Sequence, residues 1–318
     1  MALSLRRGTV TGVLERLDGL VRIEVDGAPC VAYPRLTGPV ALGDEVVVNT
    51  QARDLGLGSG GFDVLYVNLT RGLELAAEPD AHVMKLPYTP GQAAARHAEE
   101  TTELAGSLDG MPVVCCSLHS QVAPVCAALN GLRVVYVQLE GGALPVALSD
   151  TVRELRARGL VEAVATVGAC FGGDAECVSV WSALAWAKAS GSEAAVCAIG
   201  PGIVGTGTRL GHGGTAAATA ANAALALGGR PVLAARVSEA DARERHRGVS
   251  HHTQSVLDLV LGDVEVGEDG EGWEEAATGL TLSHMGRGPD DDPAFFAAAF
   301  AAGRLARELL GRAGAPSD

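Results

Sequence analysis

The side chains best suited to chemistry near neutral pH are three histidines, His119, His251 and His252. An imidazole there can donate to an anion, take a proton from a substrate, or bind a metal. His251 and His252 close a polar run, RHRGVSHHT over 245–253, and Arg243, Arg245, His246 and Arg247 crowd four basic groups into five residues. Guanidinium groups in such a run suit a phosphate or carboxylate, with Arg245 and Arg247 the candidates for contact. The competing reading is a solvated face balanced by Glu239, Asp241 and Glu244. A metal on the histidine pair, completed by Asp174, Glu140 or Asp241, is a weaker reading. Adjacent histidines diverge on most backbones, and neither an HxH nor an HExxH spacing occurs. Proton transfer or anion contact is therefore expected ahead of metal, and no metal ligand is assigned. Cys170, just ahead of Gly172 and Gly173, stands where a nucleophile could. No base accompanies it in sequence, so a buried inert thiol is the expected role.

The second chemical signal is a glycine-dense loop. Gly200, Gly202, Gly205, Gly207, Gly211, Gly213 and Gly214 fall within fifteen residues, with Thr206, Thr208 and Thr215 among them. Glycines bring bare backbone N–H groups close to whatever occupies a loop. An alanine-rich segment over 215–227 reads as a helix starting directly afterwards, which adds unpaired donors and a partial positive charge. An anion is the natural guest, at Gly202, Gly205, Thr206, Gly207 and Thr208. No Gly-Lys-Ser/Thr follows, so this is not a phosphate loop of the nucleotide-hydrolase kind, and the dinucleotide spacing is absent. The plainer alternative is a tight crossover between packed layers.

The elements that must position these residues alternate from about residue 112 onward. Apolar runs at 113–116, 134–139, 161–168, 194–199 and 231–237 read as strands. Helical segments follow at 122–129, 151–158, 177–189, 215–227 and near 255–261, with a late strand at 280–283 and a final helix over 293–310. Strand-then-helix order with few hairpin signals implies an α/β domain over 112–318. Its sheet is expected to be mainly parallel and Rossmann-like, layered with helices on both faces. Ligands in such sheets bind at the carboxyl edge. Polar residues gather there: His119, then Glu140, then Gly172, Gly173 and Asp174, the glycine loop, and the run from Ser238 to Thr253. Capping of a helix start accounts for Asp174 equally well. Residues 1–75 differ. Five short β-rich runs punctuated by Asp-Gly and Gly-Asp pairs predict a small antiparallel barrel or sandwich, with Gly56, Gly58, Gly60 and Gly61 in a loop before its last strand. Between them, 76–111 is a linker with a helix over 93–104, and Gly262 to Glu275 reads as an acidic loop or ribbon.

Composition narrows the partners. The 318 residues carry a formal charge of −14, which argues against nucleic acid and against an anionic membrane surface. No apolar run reaches bilayer length, and the stretch before residue 8 is too short for a signal peptide. The seven cysteines are odd in number and lack CxxC spacing, which predicts reduced, buried thiols in a cytoplasmic protein.

The same segments carry a family resemblance. The chain resembles the uncharacterised bacterial family catalogued as domain of unknown function 3866, through MKLPYTP at 84–90, LHSQ at 118–121, EGGALP at 140–145, FGGDAE at 171–176, GPGIVGTGT at 200–208, RHRGVSHHT at 245–253 and LGLGSGG at 55–61. The resemblance spans nearly the whole chain and implies no activity. Cys170 stands where a histidine is common in that family and His212 where an aromatic is; both departures weaken a catalytic role at those positions.

The reading that follows is a cytoplasmic enzyme acting on a small anionic substrate, phosphorylated or nucleotide-like. The glycine loop and Arg245 or Arg247 would hold the anion while His119, His251 or His252 moves protons. The alternative is a non-catalytic small-molecule sensor or binding protein; a metal-dependent hydrolase and a protein–protein adaptor rank lower. No cofactor is named by the sequence, and a homo-oligomer stays open.

Overall fold

A computed structural model describes residues 2–56 and 60–313. Gly58 of the early glycine run lies outside the described residues. The chain divides into two compact units, 1–94 and 95–318.

The first unit is a closed barrel of β1 (Leu5–Leu17), β2 (Leu20–Val25), β3 (Ala28–Ala32), β4 (Glu45–Asn49) and β5 (Asp63–Asn68), in the order β1-β2-β3-β5-β4. Alternating side chains fill it: Val10, Ile23, Val25, Val46, Val48 and Leu65 are buried together. Asp26 and Gly27 turn β2 into β3 with φ of 50° and 75°. Positive φ at both turn residues matches the twist of the flanking strands, which is why an Asp-Gly pair stands there.

The second unit is built on seven parallel strands: β6 (Pro112–Cys116), β7 (Val134–Leu139), β8 (Ala163–Val167), β9 (Ala175–Cys177), β10 (Ala194–Ile199), β11 (Arg230–Ala234) and β12 (Glu265–Val266). Their order is β9-β8-β7-β10-β6-β11-β12. The central strands β6, β7 and β10 are buried along their whole length, as expected when helices cover both faces. Val113 and Cys115 face a core shared with α3 (Val180–Ala189), α4 (Ala216–Ala226) and α5 (His251–Leu257). Val114 and Cys116 face the opposite core, with α1 (Val122–Ala128), α2 (Asp150–Ala157) and α6 (Pro293–Ala313). Alanines 217, 218, 220, 221, 223 and 224 of α4 are buried, so the helix lies close on the sheet. β6 and β10 are neighbours at the centre, and their helices leave to opposite faces. In open α/β sheets such a divergence marks the carboxyl edge where ligands bind.

Local readings fail where sequence patterns are short. The helix expected over 93–104 is instead a strand, Ala93–Ala95, and one helical turn, Ala98–Thr101. The segment has no apolar stripe at helical spacing, and Thr101 and Thr102 are β-branched. Residues 175–177 are strand β9 and α3 begins only at Val180, because Ser179 caps it by accepting from Ser182 N–H. Ser250 sets the start of α5 at His251, ahead of the expected 255. Residues 280–283 form no strand; the last sheet position is taken by β12, inside the segment expected as an acidic loop.

Candidate functional site

The site begins where β11 ends. Gln121, just ahead of α1, donates from Nε2 to Ala234 O (2.8 Å) and Ala235 O (3.1 Å), pinning that strand end to the β6 loop. The next residue, Arg236, donates its backbone N–H to Thr253 Oγ1 (2.8 Å) and is buried, its side chain 3% exposed. The chain then makes a narrow hairpin, Val237–Ser238 against Gly248–Val249. That hairpin returns the segment to α5, whose N-cap Ser250 accepts from His252 N–H (3.2 Å) and bonds His246 Nδ1 (2.7 Å).

A charge network sits inside the hairpin. Asp241, with its side chain 2% exposed, meets Arg243 Nη2 at 2.8 Å, Arg236 Nη2 at 3.3 Å and Arg287 Nη2 at 3.5 Å. Hydrogen bonds from Arg243 hold its carboxyl far below the usual carboxylate range. Burial lowers Arg236 to about 10, and Asp241 resists that shift. A buried guanidinium requires such a partner. Arg236 Nη1 also reaches His252 Nδ1, at 3.1 Å.

Four imidazoles converge beside it. His212 stacks on His252 with centroids 3.7 Å apart and planes 11° apart. His251 lies 4.5 Å from His252, 4.8 Å from His246 and 5.6 Å from His212, centroid to centroid. One ring nitrogen from each of His212, His251 and His252 lies within 4.8 Å of the other two. Burial pushes His246 down to about 3 and His252 to about 2, and lowers His212 and His251 as well. The rings are therefore neutral at pH 7, with lone pairs available. His212 is 5% exposed, and neither of its ring nitrogens finds a partner at hydrogen-bond geometry, although the Arg209 backbone lies close enough to favour its protonation. His251 Nε2 is likewise buried and unpartnered.

The glycine loop delivers His212. Gly205 and His212 pair across it, Thr206 N–H donates to Gly211 O (2.6 Å), and Gly213 N–H to Val204 O (2.8 Å). Several of its glycines serve close packing. A Cβ on Gly213 would fall on the Gly141 backbone, and one on Gly200 on the Ala143 carbonyl. Gly202 takes φ 73°. Gly207 has room, its nearest neighbour being the Arg245 guanidinium, 3.7 Å from where a Cβ would stand. Thr206 and Thr208 bond each other through their hydroxyls at 2.8 Å. Arg245 is exposed and forms no ion pair among the described residues, and Arg247 is exposed as well.

The remaining sequence candidates lie outside the cluster. His119 bonds Ile199 O (3.1 Å) through Nδ1 and Ser149 Oγ (2.7 Å) through Nε2, with Tyr136 Oη at 3.3 Å from Nδ1. Burial lowers it to about 4. Glu140 accepts from Ala169 N–H (2.8 Å), and Gly172 N–H donates to Glu176 (2.7 Å). A Cβ on Gly173 would stand 2.7 Å from Val164 O. Asp174 pairs with Arg156 (3.0 Å) and accepts from Val164 N–H (2.8 Å). A cleft of about 410 Å³ between β12 and α6, lined by Glu265, Glu268, Asp269, Arg304 and Glu308, shares no residue with the histidine cluster.

Residues 29–268 match the family described as "Protein of unknown function (DUF3866)". The chain belongs to this family. A comparison with curated proteins gives no match. The family match takes in the glycine loop, Arg236 and all four clustered histidines. Two of these residues, His212 and Arg236, were not among the candidates that the sequence suggested. His212 is enclosed by glycines and reaches the cluster only because the loop closes on itself. Arg236 had a readable signal: a lone cation directly after the apolar run 231–235.

Proposed function

We propose that the chain is an enzyme acting on a small anionic substrate, phosphorylated or nucleotide-like, bound at the carboxyl edge of its parallel sheet. The observation that carries this reading is Arg245, a guanidinium without a carboxylate partner, lying over Gly207 of the glycine loop and close enough to His251 to lower its pKa. An anion on Arg245 would stand beside neutral imidazoles. His251, with Nε2 unpartnered, is the proton carrier in this scheme. His252 is oriented by Arg236. His119, with both nitrogens engaged, braces the β6 and β10 loops. Nucleic acid and membrane are not the proposed partners, given the formal charge of −14. Among the described residues no helix is long and apolar enough to cross a membrane. All seven cysteines are buried and none forms a disulfide among the described residues, which supports a reducing, cytoplasmic setting.

The test is a thermal-shift and turnover screen of phosphorylated metabolites and nucleotides on wild type, Arg245→Gln and Arg247→Gln. Arg245→Gln is expected to weaken binding by about 2 kcal/mol, the range for a charge-assisted hydrogen bond, with an unchanged melting temperature in the absence of ligand. Equal binding by Arg245→Gln and wild type would remove the anion site. Binding without turnover would favour the sensor reading.

A further inference from the structure

We propose that His212, His251 and His252 form a tri-histidine site for a divalent transition metal, zinc or a nitrogen-preferring neighbour such as cobalt or nickel. One ring nitrogen of each residue already lies within 4.8 Å of the other two. The second, independent observation is His212, buried with neither ring nitrogen meeting a partner at hydrogen-bond geometry, the Arg209 backbone standing nearby. A buried polar group without a partner carries a cost that a ligand would relieve. His251 Nε2 is orphaned in the same way.

Donor chemistry selects the ion. Three imidazoles without a carboxylate among them suit zinc, cobalt, nickel or copper and are poor ligands for magnesium or calcium. Zinc–nitrogen bonds of about 2.0–2.1 Å place tetrahedral ligand atoms roughly 3.3 Å apart, so the three nitrogens must close by about 1.5 Å or less. His212 and His252 must also leave their parallel stack, since rings 3.7 Å apart and 11° from parallel do not aim lone pairs at one point. Three protein ligands leave a fourth position open, the pattern of catalytic zinc centres. His252 carries a further condition. Its Nδ1 accepts from Arg236, which puts the ring proton on Nε2. Ligation through Nε2 requires that proton to move to Nδ1 and Arg236 to release the ring, and Asp241, 3.3 Å from Arg236 Nη2, keeps the guanidinium paired when it does.

A metal on His251 replaces the proton-carrier role given to that residue in the anion reading, and because metal binding needs no substrate the two are tested separately. Tag-free full-length protein is stripped with chelator and titrated with Zn²⁺ alone by calorimetry, then with Co²⁺ alone by visible absorption. One metal per chain is expected. His212→Gln and His251→Gln should each weaken binding by at least the 10–100-fold typical of outer-shell losses, while His82→Gln binds as wild type does. Circular dichroism of each metal-free variant checks the fold. If a variant does not fold, imidazole nitrogen NMR of the wild type decides: zinc must move the resonances of His212, His251 and His252. Failure of the wild type to bind zinc at about 100 μM, well above the affinity of structural zinc sites, would overturn the proposal. So would binding unchanged in both glutamine variants, or zinc shifts confined to other histidines.

Discussion

Arg236 and Asp241 form an ion pair in which both side chains are almost fully buried, yet the two partners are not equally replaceable. Asp241 has two further guanidiniums: Arg243, 39% exposed, can turn toward water, and Arg287, 21% exposed, keeps Asp292 as a second carboxylate partner. Arg236 cannot turn toward water. Removing the carboxylate therefore strands one buried cation, at a cost of about 3–5 kcal/mol. Removing the Arg236 cation leaves Asp241 still bonded by Arg243, at a cost nearer 1–3 kcal/mol. Urea unfolding is thus expected to show Asp241→Asn as the more destabilised variant and Arg236→Gln as the milder one; the reverse order would contradict this assignment. Arg236→Gln should also bind zinc about 10-fold more tightly, because His252 Nδ1 loses the donor that competes with ligation. The basic run was visible in sequence as four cations in five residues, but sequence could not divide its labour. Arg243 turns inward to Asp241, while Arg245 stays outside over the glycine loop.

Elements rather than single residues determine which glycines of the loop matter. A Cβ on Gly213 would collide with the Gly141 backbone, and Gly141 itself sits at φ 123°. The β7 and β10 loops touch main chain to main chain at this point, and no side chain can flex away. Gly213→Ala should cost about 1–3 kcal/mol, as overpacking does, and should displace His212 from its cluster. Gly207→Ala meets only the movable Arg245 and should change stability by less than ~0.5 kcal/mol. Thermal melting of the two variants distinguishes a packing glycine from an open one, and equal losses would refute the distinction. The central strands were legible because buried parallel strands are continuous apolar runs, as in 134–139 and 194–199. β9 and β12 were not, since three residues and two residues carry no period. The same limit hid the Gly205–His212 closure, a single bridge that brings a residue from one loop to histidines supplied by another.

At the scale of the whole second unit, buried histidines tie stability to pH. His119 is held at about 4 and His284 at about 3, burial being the main cause in each. His119 is enclosed by Ile199 O, Ser149 and Tyr136. His284 stacks on Phe295 and bonds Ser120, and the charges of Arg236, Arg287, Asp292 and Asp241 act on it. Both folded values lie below the roughly 6.5 of an imidazole in the unfolded chain. Below pH 6.5 the unfolded state therefore binds protons that the folded state refuses. The stability in question is complete above pH 6.5 and is lost as pH falls toward 4, by up to about 1.4 kcal/mol per pH unit for each histidine. The clustered histidines act in the same direction, whereas the stability contributed by Asp241, whose carboxyl is held low, is complete above the ordinary carboxylate range and is lost only as pH falls below it. All three tryptophans, Trp181, Trp186 and Trp273, lie in the second unit, so their fluorescence follows its unfolding without interference from the barrel. Urea midpoints by tryptophan fluorescence, with chelator present, should be level from pH 7.5 to 6.5 and fall steeply by pH 5. His119→Gln and His284→Gln should each flatten that fall by about 1.4 kcal/mol per pH unit, whatever they cost at pH 7.5. A wild-type midpoint level down to pH 5, or variants with the wild-type slope, would show that these imidazoles protonate within the folded protein.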